Sequence, residues 1–241
     1  MTPAPATGER DPVLRITSLR KNYQALRPLR IRELTITAGE RVALSGLDAG
    51  AAEVFVNLVT GASLPDEGDV KVMGRSTAAI ADGDEWLGSL ERFGIVSPRA
   101  VLLEGATLLQ NLALPFSLDI EPVPPGLEAK ARALADETGI PEEWLHKPAA
   151  DAPPAIRARV HLSRAIALSP SMLLMEHPTA TLGDRDRAPF AADTARVLDG
   201  RALTAVIVTE DREFARRCAH RLLALKAASG ELLPQKRGWL W

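Results

Sequence analysis

The chain has 241 residues, 46% hydrophobic and 25% charged, an ordinary globular composition long enough to bury a sizeable core, which excludes a disordered or fibrous protein. Its 29 basic and 31 acidic residues leave a formal charge of -2, so bulk electrostatics gives no reason to expect a nucleic-acid partner. A single cysteine, Cys218, excludes an internal disulfide and fits a reducing compartment, and no run reaches the roughly 18 apolar residues of a membrane span.

The opening "MTPAPATGERDP" has no apolar signal-peptide core; residues 1–12 are expected to be a disordered lead-in to a single domain over 13–241. From Val13 the runs "VLRITSL" and "LRIRELTITAGERVALSG" alternate in strand fashion, with Gly39 and Glu40 as a tight turn between two strands, which predicts an antiparallel opening. Residues 54–61 fit a helix ending at Gly61, and "LPDEGDVKVMG" reads as turn, short strand and glycine turn. Trp86 to Ile95 leads into "GIVSPRAVLLEGATLLQNLALPF", a strand, a loop and a helix. After the proline linker "IEPVPPG", Leu127 to Gly139 reads as an alanine-rich helix, so that residues from about 99 to 165 form a mostly helical insertion.

A helix over Ile156 to Leu168 then precedes "SMLLMEHP", and "ALTAVIVTED" comes later as a further strand. Short apolar runs separated by helices predict parallel strands covered on both faces, whose ligands sit beyond the strands' carboxyl ends. The residues to examine therefore come just after "VALSG", "GIVS", "LLM" and "AVIVT". Elsewhere the bland reading holds. "RRCAHR" (Arg216 to Arg221) reads as a solvated helix face with Cys218 a small helix residue, and His146, His161 and His220 as surface or helix residues. Trp144, Trp239 and Trp241 are scattered, and the terminal "GWLW" docks on the body or on a partner.

"RVALSGLDAGAAEVFVNLVTG", Arg41 to Gly61, has the frame of a phosphate-binding loop: apolar strand, glycine turn, apolar-periodic helix. With "LRKNY", "LPDEGDVKVMG", "ATLLQNLALPF", "SRAIALSPSMLLMEHPTATLGD" and "AVIVTED" in this order, the chain resembles the ATP-binding subunit of an ABC transporter, near the compact kind serving lipid or lipoprotein export. The resemblance implies an α/β P-loop NTPase-like ABC cassette, with a mixed sheet core, an antiparallel β-subdomain and a helical subdomain at about 99–165. It maps Tyr23 to the aromatic residue that stacks on adenine.

Several positions depart from the family's pattern. A working phosphate loop needs glycines, a lysine for the terminal phosphates and a hydroxyl for magnesium. With Gly46 as first glycine, the stretch Gly46, Leu47, Asp48, Ala49, Gly50, Ala51, Ala52, Glu53 and Val54 puts Ala52 at the lysine, Glu53 at the hydroxyl, and Ala49 and Ala51 at two glycines. The magnesium-holding aspartate and water-orienting glutamate map to Glu176 and His177, the switch histidine to Glu210, and the loop glutamine to Pro98, within one position. The signature segment maps to Ala152, Pro153, Pro154, Ala155 and Ile156, with Asp151 as a helix cap in place of a phosphate. Loss of the lysine together with the added Glu53 anion costs about 4–6 kcal/mol of nucleotide binding, enough to turn a micromolar site into a millimolar one.

These positions predict a non-hydrolysing subunit with no tightly bound cofactor, its vestigial site retained at Tyr23 and residues 46–54. The expected partners are a membrane permease subunit, an active ABC ATPase homologue or a second copy, and the expected location is cytoplasmic, peripheral on the inner membrane face through a partner. One alternative is an active ATPase binding ATP and magnesium, energising transport of a lipid or other substrate with a relocated cation. Arg99 is the nearest candidate for that cation, although it reads first as a surface residue. A third reading lets Asp48, Glu53, Glu176, His177 and Glu210 converge on a divalent cation, with Glu53, Glu176 and His177 as ligands.

Overall fold

The computed structural model describes residues 12–235. The lead-in over residues 1–11 and the terminal "GWLW" lie outside the described residues, and Pro12 already belongs to the first strand.

The alternating N-terminal runs form an antiparallel sheet. Strand β1 (Pro12–Lys21) lies between β2 (Leu29–Thr37) and β4 (Glu67–Val72), and the two-residue β5 (Arg75–Ser76) closes the sheet in the order β2-β1-β4-β5. The turn at Gly39 and Glu40 does not make a hairpin. It carries the chain out of this sheet into β3 (Arg41–Ser45), the centre of a second sheet. The local turn signal is the same in both cases; partner choice is settled by β3, whose Val42, Ala43 and Leu44 are buried on both faces and so suit parallel neighbours.

That second sheet has the order β10-β9-β3-β8-β7-β6, with β6 (Phe93–Val96), β7 (Met172–Glu176), β8 (Thr204–Val208), β9 (Arg221–Lys226) and β10 (Glu231–Pro234). The strands β9, β3, β8, β7 and β6 run parallel, and β10 is antiparallel on one edge. "SMLLMEHP" and "ALTAVIVTED" thus supply central strands, as their unbroken apolar runs predict.

Helix α1 (Ala49–Val59) is wedged between the two sheets, and its Phe55, Val56 and Leu58 join Ile16, Ile31, Leu44 and Leu174 in one core. It begins five residues before the expected start at 54 because Asp48 caps it, and it ends at Thr60, one residue before the positive-φ Gly61. The other sheet face, with Ala43, Leu173 and Ile207, packs on α5 (Pro154–Ile166), α6 (Asp184–Gly200) and α7 (Arg212–Cys218). Between β6 and β7 the chain also forms α3 (Leu108–Ala113) and α4 (Pro125–Thr138), which ends on a left-handed Gly139; these helices and α5 share a third core around Leu108, Ala131 and Val160. Ahead of β6, α2 (Gly83–Leu90) carries Trp86.

Two local expectations are corrected. Asp151 does not cap α5: it ends a 3-10 turn (Ala149–Asp151), and α5 starts after Pro153 with no side-chain cap, since Pro154 at the helix start has no N–H to satisfy. "RRCAHR" is not one helix face either, because α7 stops at Cys218 and Arg221 opens β9. Among the described residues no helix is long and apolar enough to cross a membrane.

Candidate functional site

The parallel strands bring the residues after β3, β6, β7 and β8 to one sheet edge, as the topology requires. At the end of β3, Gly46 adopts φ 84, and an added Cβ would fall 2.7 Å from the Leu225 carbonyl oxygen. Only glycine passes here. Its N–H donates to Glu210 Oε1 at 2.6 Å, and Glu210 is held in place by the neighbouring Thr209, whose N–H donates to the Leu44 carbonyl at 2.9 Å. The Glu210 side chain, which the resemblance maps to the switch position, thus reaches back to the Gly46 amide.

The rest of the loop turns inward on itself. Leu47 is buried in the core, and Asp48 Oδ1 accepts from Ala51 N–H at 2.8 Å while the Asp48 carbonyl accepts from Ala52 N–H at 2.8 Å. Ala49, Gly50 and Ala51 therefore form the first turn of α1, capped by a carboxylate of the same segment. Ala52, at the lysine position, is 0% exposed, and Val54 packs on the core. Tyr23 rests beside this turn, Cε2 lying 3.7 Å from the Cβ position of Gly50, and it packs on the same core; partial burial and the nearby Asp48 push its phenol pKa up.

One turn further along α1 stands the second half of the cluster. Glu176, at the end of β7, is 2% exposed. A buried carboxylate needs compensating donors, and here they come from the loop after β6. Ser97 Oγ donates to Glu176 Oε2 at 3.0 Å, Arg99 Nε donates to the same oxygen at 3.3 Å, and Arg99 Nη2 donates to Oε1 at 2.6 Å. The remaining arm, Arg99 Nη1, donates to Glu53 Oε1 at 2.7 Å. Arg99 is thus not a bystander on the surface. Half-exposed at 46%, it clamps together Glu53 and Glu176, the carboxylates that the resemblance maps to the hydroxyl and aspartate positions. Pro98 lies exposed between Ser97 and Arg99, so the polar groups in this loop come from its neighbours. Ser97 is a residue that sequence reasoning missed; its signal was its place one residue before the mapped position.

His177 comes next at φ 40, an uncommon conformation for a residue with a side chain. Its N–H donates to the Val208 carbonyl at 2.8 Å, and its Nε2 is buried with no hydrogen-bond partner among the described residues. The five residues of the cation reading are therefore divided between separate duties: Asp48 on its own helix, Glu210 on Gly46, Glu53 and Glu176 on Arg99, and His177 on the β8 backbone. Among the described residues no group of three or more His, Cys, Asp or Glu side chains is placed to hold a metal ion. In the mapped signature segment Ala152 and Ile156 are buried in the helical core, and Pro153 and Pro154 are exposed. Cys218 is buried, which drives its thiol pKa up to about 12 and leaves it unreactive.

Between β6 and the helices lies an open groove of about 650 Å³, lined by Leu87, Ile95, Leu118, Leu168 and His161. The four apolar side chains are 57%, 38%, 88% and 58% exposed. His161 is mostly buried, its Nδ1 without a hydrogen-bond partner among the described residues, and burial with the positive charges of Arg164 and Arg157 lowers its pKa to about 4. Its folded-state value thus lies below its ordinary 6.5, so acid favours the unfolded chain, which takes up the proton first. Stability should be unaffected by His161 above pH 6.5 and fall between pH 6.5 and 4 by up to about 1 kcal/mol per unit. His161→Leu should flatten that part of a urea-denaturation pH profile; an unchanged slope would contradict the assignment.

Comparison with known proteins adds the family. The chain is 30% identical over 230 residues to the lipoprotein-releasing system ATP-binding protein LolD of Xylella fastidiosa strain Temecula1, covering 93% of this chain and 92% of that protein. It is 29% identical to LolD of Alcanivorax borkumensis over 211 residues, 86% of this chain and 92% of that one. It is also 27% identical over 226 residues to the sulfate/thiosulfate import ATP-binding protein CysA of Methylococcus capsulatus, 90% of this chain and 62% of that one. No protein-family model matches. Among solved structures, the dimeric post-hydrolysis ATP-binding cassette MJ0796 bound to ADP and Pi superposes with a TM-score of 0.75 at 20% identity, covering 94% of this chain and 100% of that one. cbiO1 of Clostridium perfringens, part of the ABC transporter complex cbiONQ, gives 0.77 at 18% identity, covering 95% and 90%. With two sheets around α1 and LolD relatives matched over nearly their whole length, this chain belongs to the ATP-binding subunits of ABC transporters.

Proposed function

We propose that this chain is a non-hydrolysing ABC subunit that works through its surfaces, as a transporter-associated or regulatory partner. The observation that carries the reading is internal occupation of the site by side chains of the same chain. Arg99 bridges Glu53 and Glu176, at the positions the resemblance gives to magnesium ligands, and the Asp48 and Glu210 carboxylates accept from loop amides. On this reading the residues present do not fit magnesium ATP. Phosphoryl transfer depends on positive charge around the phosphate oxygens, and the loop offers acids and a buried alanine instead.

The groove at Leu118 and Leu168 supports docking on a membrane permease subunit, because exposed apolar side chains of this number mark an interaction surface. An active homologue or a second copy is the other partner we assign, by analogy with the dimeric cassette MJ0796. The test is phosphate release from magnesium ATP by the purified chain. We expect a rate no higher than that of Glu176→Gln; turnover abolished by that substitution would overturn the proposal. The alternative, an active ATPase with Arg99 as relocated cation, requires Arg99 to leave two carboxylates, and it predicts turnover lost in Arg99→Ala.

A further inference from the structure

The groove between β6 and the helices holds a charged group that the cluster at the strand ends does not use. Arg164 lines it from α5, between His161 and Leu168. Its Nη1 donates to the Val101 carbonyl at 2.8 Å, and among the described residues no carboxylate pairs with it. The side chain is half-buried, and burial alone pulls its pKa below the ordinary arginine value. Its other donors are not among the sealed, unpaired side-chain atoms of the described residues. Arg99, Arg157, Arg159 and Arg201, which also tie separate elements together, each meet a carboxylate. Arg164 keeps its charge out of bulk water without one, an arrangement that a carboxylate from outside would relieve. Glu91, the one acid of the lining, is exposed to water, where its charge is screened.

We propose that the groove receives a short amphipathic helix of a partner protein, with apolar side chains on Leu118 and Leu168 and one aspartate or glutamate paired with Arg164. The inference rests on the docking reading above and adds the chemistry that selects the docked segment. A helix suits the groove better than an extended segment. It satisfies its own backbone groups, whereas an extended segment needs a strand edge, and β6 at the edge of its sheet has 4 residues. The acid also sets the register: apolar contacts alone let a helix slide along the groove, and a forked ion pair on a partly desolvated guanidinium holds it at one position.

The experiment selects peptides of about 12 residues, some three helical turns, from a random displayed library on the purified full chain, and measures the synthesised winners by fluorescence anisotropy. Leu118 and Leu168 are largely exposed, so Leu118→Asn/Leu168→Asn should fold, and peptides that lose binding to it are groove binders. These are expected to carry an acidic residue among apolar ones at helical spacing, and a proline in the middle of the peptide should abolish binding. Replacing the acid by its amide should weaken binding about tenfold in the natural chain and change nothing in Arg164→Gln. Groove binders without an acid, or with an acid whose replacement by the amide has no effect, would overturn the inference while leaving groove docking intact. If no peptide is sensitive to Leu118→Asn/Leu168→Asn, both fall. The amide replacement alters the peptide alone, so it decides the matter even where Arg164→Gln does not fold.

Discussion

Arg99→Ala should lower the unfolding free energy by about 3 kcal/mol, the lower end of the loss caused by removing one partner of a buried ion pair. The cause is the burial of Glu176. It is 2% exposed, and among the described residues the hydrogen bonds its side chain accepts come from Ser97 and Arg99. Without the guanidinium its charge keeps, among the described residues, the Ser97 hydroxyl alone. The lower end of the range applies because the Arg99 side chain is itself half in solvent. Glu53→Gln should cost well under about 1 kcal/mol, since that carboxylate is 44% exposed. The double variant Arg99→Ala/Glu176→Gln should be more stable than Arg99→Ala alone, because the uncompensated charge is gone. Urea denaturation of the natural chain and the three variants checks this; a loss under about 0.5 kcal/mol in Arg99→Ala would show that the clamp does little, the range expected of an ordinary surface substitution.

The second large effect is a gain. On the proposed reading, Ala52→Lys/Glu53→Ser/Glu210→His places a lysine, a hydroxyl and a histidine at the positions the resemblance maps to them, and it should raise affinity for magnesium ATP by about a hundredfold or more, as relief of some 3 kcal/mol of repulsion and missing hydrogen bonds implies. The same variant should be less stable than the natural chain when no nucleotide is added. Ala52 is 0% exposed, so a lysine there must either bury its charge or pull the first turn of α1 open, and Gly46 loses the Glu210 carboxylate as acceptor. Added ATP should reverse the deficit, because a ligand that binds only the folded state stabilises it by mass action. Thermal melts with and without magnesium ATP read both effects. A variant that melts like the natural chain under both conditions would mean that these three positions do not control the site.

Much of the fold is legible in single segments. The unbroken runs around Leu173 and Val206 can only suit strands covered on both faces, and Gly46 and Gly61 frame a strand-turn-helix unit that the structure contains. The start of α1 is legible too, since Asp48 is a good cap ahead of a run of alanines, but the glycine-loop frame competes with it for the same residues. What local pattern does not carry is pairing over distance. Arg99 meets Glu53 and Glu176 at sequence separations of 46 and 77, and Glu210 meets Gly46 at 164. Each of the four charged residues, taken alone, is an ordinary side chain in a loop, on a helix or at a strand end. The Gly39–Glu40 turn fails for the same reason: its backbone geometry is local, and the sheet its next strand joins is not.

The proposed function rests on one physical idea, that fixed side chains occupy the places of bound ions. On the proposed reading, the Arg99 guanidinium stands between Glu53 and Glu176 where a divalent cation would sit, and the Asp48 and Glu210 carboxylates accept from loop amides that would otherwise be open to phosphate. Titration calorimetry of the unmodified chain with magnesium ATP tests that idea most directly. Affinity weaker than about 1 mM, near 4 kcal/mol of binding free energy, is the predicted result. Saturation in the micromolar range would contradict it, because the nucleotide would then have displaced Arg99 and Glu210 at little cost.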